Sequence, residues 1–216
     1  MIQLEPREQM IEQQVRAWEV LDPRVLDILR AVPRERFVPP GQEFLAFADV
    51  DVPLPHGQHM LRPNVVGRAL QALEPAERDR VLEVGAGSGF FTACLAKAAA
   101  HVRSLEIFPD LAELSRANLA AQGIRNVEVV VADAMREAPQ GTFDVIAVTG
   151  SLPVYDRRFE QQLNVGGRLF VVVGEPPVME ARLVRRVSGE AWSTESLFET
   201  VIDPLINAPR PEPFRF

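Results

Sequence analysis

One short turn constrains this chain more than any other feature. Val81–Val84 is a short apolar run of strand character, Phe90–Ala100 is an apolar run of helical length, and Gly85-Ala86-Gly87-Ser88-Gly89 alone separates them. A strand that passes through so tight a glycine turn into a helix leaves backbone open to a ligand, because glycine has no Cβ to collide with it. The alternation then continues. Val102–Leu105 reads as a strand ending in Glu106, Pro109–Gln122 as a helix stopped by Gly123, Val127–Val131 as a strand leading to Asp133, and Phe143–Thr149 as the next strand. This order demands a mostly parallel sheet with helices on both faces, an α/β, Rossmann-like class. A short helix over Asp156–Leu163 and a turn at Gly166-Gly167 lead into a strand at Arg168–Val173. Met179–Val187 and Ser196–Val201 read as a closing antiparallel pair at the sheet edge.

The residues before the turn have a different rhythm. Glu8–Leu21 places Met10, Ile11, Val15, Trp18 and Leu21 at helical spacings. Asp22-Pro23 supplies an N-cap and a proline at the first helical position, opening a helix over Val25–Val32 that Pro33 ends. Phe37–Pro63 is rich in Pro, Gly and aromatics without periodicity, the mark of a long ordered loop of functional type. Asn64–Leu73 is again helical. With 216 residues, one domain is expected, residues 1–75 being N-terminal helices and loop and residues 76–216 the α/β core.

Composition excludes several classes. The net charge of −7 argues against a nucleic-acid partner, which needs clustered Lys and Arg; Arg182, Arg185 and Arg186 are one candidate for a local basic patch and read as a solvated face. Cys94 is the single cysteine, expected buried in a helix, so no disulfide requires an oxidising compartment. No apolar run approaches the roughly 20 residues of a membrane span, and residues 1–20 show no signal peptide, so a cytoplasmic location is expected. No His/Cys cluster has metal-ligand spacing, His56 and His101 included. The Pro-rich tail Pro209–Phe216, with two Phe residues, has no assigned role.

Two cofactor classes compete for the turn. A dinucleotide fingerprint places its third glycine where this chain has Phe90; here the third glycine is Gly89. Glu106, about 20 residues after the turn at a strand end, is placed to accept ribose hydroxyls, and Asp133 ends the third strand, where an adenine ring would sit, although either carboxylate is also read more simply, as a solvated strand end or a helix N-cap. The pattern Glu83-Val84-Gly85-Ala86-Gly87-Ser88-Gly89 with these two acidic residues resembles that of S-adenosyl-L-methionine-dependent methyltransferases.

The resemblance narrows over most of the chain. Arg34-Glu35-Arg36-Phe37-Val38-Pro39, Ala46-Phe47-Ala48-Asp49, Pro53-Leu54-Pro55, Gly57-Gln58 and Pro63 precede the turn, and Phe143–Thr149, Gln162-Leu163, Gly166-Gly167-Arg168-Leu169, Val173-Gly174 and Asp203-Pro204-Leu205 follow it. In this order the chain resembles the protein-L-isoaspartate O-methyltransferases. The resemblance implies S-adenosyl-L-methionine as cofactor, held by Glu83, Gly85, Ala86, Gly87, Gly89, Glu106, Asp133, Ala134 and Thr149. It implies an isoaspartyl-containing protein or peptide as methyl acceptor, met by Asp49, Gly57, Gln58, Thr149 and Gly150. The pattern Asp/Asn-Pro-Pro-Tyr/Phe of amino-methylating nucleic-acid enzymes is absent; the corresponding run is Thr149-Gly150-Ser151-Leu152-Pro153.

One segment departs from the family pattern. The family's loop carries Gly-Gln-Thr-Ile-Ser-x-Pro, and its serine sits beside the reacting carboxylate. This chain reads Gly57-Gln58-His59-Met60-Leu61-Arg62-Pro63, so Leu61 occupies the serine position. Leucine donates no hydrogen bond. His59 and Arg62 are the candidates for the lost contact, Arg being a natural carboxylate partner. The alternatives are a different methyl acceptor or a cofactor binder of weak activity.

Overall fold

The computed structural model describes residues 5–211; the last residues of the Pro/Phe tail lie outside them. The chain opens with α1 (Pro6–Met10), which widens into a π turn over Ile11–Val15 and tightens to a 3-10 turn at Arg16–Trp18. Met10, Ile11 and Val15 are buried as their spacing requires. Leu21 is 64% exposed, against expectation, because Glu19 takes a left-handed conformation and turns the chain out of the helix before it. Helix α2 (Pro23–Ala31) begins as the sequence indicates: the Asp22 side chain accepts from Arg24 N–H at 2.9 Å. The loop after Pro33 holds 3-10 turns and a two-residue hairpin, β1 (Val52–Pro53) with β2 (His59–Met60). Helix α3 (Pro63–Leu73) delivers the chain to the sheet.

The remaining elements are β3 (Arg80–Val84), α4 (Phe90–Ala98), β4 (His101–Glu106), α5 (Pro109–Ala121), β5 (Val127–Val131), β6 (Phe143–Leu152), β7 (Leu163–Glu175), β8 (Val178–Arg186) and β9 (Trp192–Glu199). The sheet order is β5-β4-β3-β6-β7-β8-β9. Pairings from β5 to β7 are parallel and those of β8 and β9 antiparallel. Two expectations change. Asp156–Leu163 forms a 3-10 turn at Glu160–Gln162 instead of a longer helix, and Gly166-Gly167 lies inside β7 instead of turning before it. A Cβ on Gly167 would meet the backbone oxygen of Asn164 at 2.8 Å, so these glycines permit an irregular stretch of strand where β7 shifts register against β6.

The period of two divides the sheet's side chains between two cores. Val81, Val145, Ala147, Phe170 and Val172 face one cluster, which also takes in Met10, Leu29, Leu70, Leu95 and Leu111 from the helices. Leu82, Val84, Ile146, Val148, Leu169 and Val171 face the other, closed by Met135, Phe159, Leu163 and the partly buried Leu205. Burying one such large side chain contributes about 1.5–3 kcal/mol. Cys94 is buried in α4 as expected, and burial pushes its thiol well above the usual range. In the basic run on β8, Arg182 pairs with Glu180, and Arg186 lies over the Trp192 ring at 5.2 Å and donates to the Leu163 carbonyl.

Candidate active site

A cleft of about 310 Å³ opens beyond the carboxyl ends of β3 and β4. The chain leaves β3 for β4 and β5 on one side and returns to β6 on the other, so this is the point where the strand order reverses. Open parallel sheets bind ligands at such points. The floor is Val84-Gly85, Leu105-Glu106-Ile107, Ala132–Met135 and Thr149-Gly150. One wall is the loop around β2, with Asp51, Leu54, Gln58, His59 and Leu61; the other is the strap Val201–Ile206.

The glycine turn fits its place for steric reasons. Gly85 has φ +100°, and a Cβ there would collide with the Thr149 hydroxyl, which hydrogen-bonds the carbonyls of Gly85 at 2.7 Å and Val84 at 2.9 Å. Gly89 serves packing instead: a Cβ would lie 2.7 Å from Ser115 Oγ, so its absence lets the start of α4 press on α5. Gly89 therefore does not line the cleft, contrary to its expected place among the cofactor contacts. Gly87 lines the cleft and gives its N–H to Glu106 Oε2 at 2.9 Å, while Phe108 N–H donates to Oε1 at 3.1 Å. Each Glu106 oxygen thus keeps acceptor capacity for a ligand hydroxyl. Asp133 and Ala134 line the cleft; Asp133 accepts from Met135 N–H and from Asn207 Nδ2. Ala86 faces a small cavity beside the cleft, shared with Arg34, Met60 and Phe90.

Glu83 lies one layer deeper than expected. It is fully buried, outside the cleft lining, and accepts hydrogen bonds from Thr92 of α4 and Ser104 of β4. Burial pushes its carboxyl up to about 8, against the pull of those two donors, so it is largely protonated at neutral pH. It ties β3, β4 and α4 together under the turn. Arg34 is its cationic counterpart on the loop side. Its guanidinium donates to the carbonyls of Ala46 at 3.0 Å and Leu61 at 2.9 Å and lies 4.8 Å over the Phe90 ring. Burial lowers it to about 10, which leaves it cationic at neutral pH.

The loop sorts the acceptor-side candidates. His59 lines both the cleft and the small cavity, with Nδ1 2.8 Å from Asp203 Oδ2 on the strap. Leu61 lines both as well, and presents only carbon. Arg62 donates to Asp51 Oδ2 at 3.2 Å, outside the cleft lining, so its charge is already engaged. Gln58, Thr149 and Gly150 line the cleft, whereas Gly57 and Asp49 are exposed away from it. Sequence reasoning missed the strap as a wall and Asp203 as a partner of His59. It also missed His56, stacked on Phe108 with ring centroids 4.1 Å apart and bonded through Nε2 to Asp110 at 2.9 Å, which clamps the loop to the start of α5. An acidic residue far along the chain gives no local signal of such pairing.

Known proteins agree with this architecture. Residues 5–207 match the family described as protein-L-isoaspartate(D-aspartate) O-methyltransferase. A protein-L-isoaspartate O-methyltransferase of Methanoculleus marisnigri is 41% identical over 182 residues, covering 83% of each chain. Protein-L-isoaspartate O-methyltransferase 1 of Rhodopseudomonas palustris is 40% identical over 203 residues, covering 93% of this chain and 82% of its own. The crystal structure of a Plasmodium falciparum protein described as a putative protein-L-isoaspartate O-methyltransferase, in complex with S-adenosyl-L-homocysteine, superposes with a TM-score of 0.79 over 94% of this chain and 99% of its own, at 20% identity. The match spans turn, loop and strap, and on it the chain belongs to the protein-L-isoaspartate(D-aspartate) O-methyltransferase family.

Proposed function

We propose that this protein transfers the methyl group of S-adenosyl-L-methionine to the free carboxylate of isoaspartyl residues in peptides and proteins, the first step in repair of that damage. One observation carries the reading: the family match covers the loop and strap that wall the acceptor side as well as the cofactor turn. The residues present suit the cofactor. Glu106 keeps an acceptor on each oxygen for ribose hydroxyls, and the turn at Gly85 and Gly87 has no side chain to exclude the amino-acid portion. When bound, the cofactor supplies a sulfonium-activated methyl group to which a carboxylate oxygen can bond directly. The acceptor carboxylate, ionised above a pKa of about 4, needs no general base. The protein's task is to strip water from it and aim it, and Leu54, Leu61, Ile202 and Leu205 give the cleft apolar walls for that purpose.

The test is transfer of labelled methyl to matched isoaspartyl and aspartyl peptides. Selective, base-labile labelling of the isoaspartyl peptide is the expected result; cofactor binding with neither peptide labelled overturns the reading. Leu61 in place of the family serine is the observation that favours a second reading, in which another carboxylate or peptide is the acceptor. No helix among the described residues is long and apolar enough to cross a membrane. A lone buried Cys94 suits work in the cytoplasm, where no disulfide is needed.

A further inference from the structure

His59 stands where the cleft and its side cavity meet, beside Leu61, Gly85, Gly87 and Thr149, which line both. Its Nδ1 lies 2.8 Å from Asp203 Oδ2, and a carboxylate partner makes Nδ1 the donor. Nε2 makes no hydrogen bond among the described residues. The ring is thus oriented by one nitrogen and leaves the other free, the arrangement in which a carboxylate fixes a histidine for work at its far side. Of the groups nearby, Arg62 is tied to Asp51 and Leu61 has no donor to give; Arg34 gives Nε and Nη2 to the Ala46 and Leu61 carbonyls and keeps Nη1 without a partner among the described residues, but it lines only the side cavity, whereas His59 also lines the cleft.

We infer that His59, held by Asp203, donates Nε2–H to the acceptor carboxylate and so takes over the contact that Leu61 cannot make. The inference rests on the carboxylate acceptor of the preceding section. With Nδ1–H given to Asp203, a second N–H on Nε2 requires the imidazolium. Acceptor binding is therefore coupled to protonation of His59. The charged groups around it are Asp203 on the strap, Asp51 of the loop with its partner Arg62, Glu106 and Asp133 of the cleft lining, and Arg34 of the side cavity. Neutral His59 would turn a lone pair toward the carboxylate and repel it. The contact is strongest to the ionised acceptor and weakens as the ester forms, so its loss raises KM more than it lowers kcat.

The experiment is kcat/KM for an isoaspartyl peptide from pH 5.5 to 9, at saturating cofactor, for the parent chain, H59Q, H59L and D203N. The parent should lose activity tenfold per pH unit on its alkaline limb, through KM. H59Q, a donor that does not titrate, should flatten that limb. H59L should raise KM by 10- to 100-fold at pH 6 with kcat nearly unchanged, and D203N, which weakens the hold on the ring, should raise KM in the same direction by less. An alkaline limb that persists in H59Q, or an H59L equal to the parent, overturns the inference while leaving isoaspartyl methylation intact. A parent that binds S-adenosylhomocysteine by calorimetry yet labels no isoaspartyl peptide at any pH overturns both.

Discussion

A methyl group added at Gly85 has nowhere to go. The residue holds φ +100°, which L side chains rarely adopt, and the Thr149 hydroxyl already fills the position of a Cβ. Gly85→Ala must therefore shift either the turn or the end of β6, both part of the cleft floor. Affinity for S-adenosylhomocysteine should fall at least tenfold, about 1.4 kcal/mol, by calorimetry. Glu83 makes a prediction of opposite character, in stability. Its folded carboxyl titrates at about 8 and its ordinary value is 4.5. Between those values the unfolded chain has lost the proton and the folded chain keeps it, so rising pH favours unfolding across that window and the penalty is complete above it. Glu83→Gln removes the titration. Its melting temperature relative to the parent should climb from pH 5 to pH 8 and then level off, at roughly 2–4 °C per kcal/mol for a chain this size. At this scale the sequence showed which residues matter better than it showed why. Gly85 and Gly89 stand in one motif, yet one faces the cleft and the other only lets two helices meet, because Ser115 and Thr149 come from distant elements.

Among the elements, Arg168 shows how the sheet holds a helix in place. From β7 it donates to the carbonyls of Leu73 at 2.6 Å and Glu74 at 2.8 Å, closing the end of α3, and it pairs with the buried Asp79 at 2.7 Å. Arg168→Ala leaves Asp79 and two carbonyls without this partner. It should cost about 3 kcal/mol or more in urea unfolding, as loss of one member of a buried pair does. Since α3 follows directly on the acceptor loop, activity should fall with it. The elements themselves were largely legible, because their signals are local: Asp22-Pro23 opens α2, Gly123 follows α5, and β-branched runs form the parallel strands. The strap Val201–Ile206 was not. It has no periodicity, and its position depends on Ser151 bonding Asp203 and Leu205 and on Gly150, where a Cβ would strike Leu205. The helix expected at Asp156–Leu163 failed for a related reason. Glu160 turns inward to Tyr155 and Arg157, and Phe159 fills the second core, so tertiary contacts set that segment's path over its local propensity.

On the scale of the molecule, the cleft joins three stretches that nothing in the chain's order brings together: the loop from Asp51 to Leu61, the carboxyl ends of the parallel strands, and the strap from Val201 to Ile206. In the floor, β3 and β6 are buried on both faces. The strap is tied to β6 through Ser151 and the loop to Arg34 through the Leu61 carbonyl, while the side-chain links from the loop to its neighbours are exposed, His59 to Asp203 on the strap and His56 to Asp110 on α5. Exposed pairs of this kind hold weakly, so the walls should open locally far more often than the floor. A ligand seated in the cleft touches all three and adds its binding energy to whichever closed state holds it. S-adenosylhomocysteine at 100 times its Kd should stabilise the fold by about 2.7 kcal/mol, and the gain should be distributed unevenly. Amide hydrogen exchange should slow most in residues 51–61 and 201–206 and little in β3 and β6, which are already protected. Protection confined to the strand ends would mean that the walls do not close on the cofactor and wait for the peptide. Equal protection of loop and strap in D203N would show that the ligand, and not the His59–Asp203 pair, brings the two walls together.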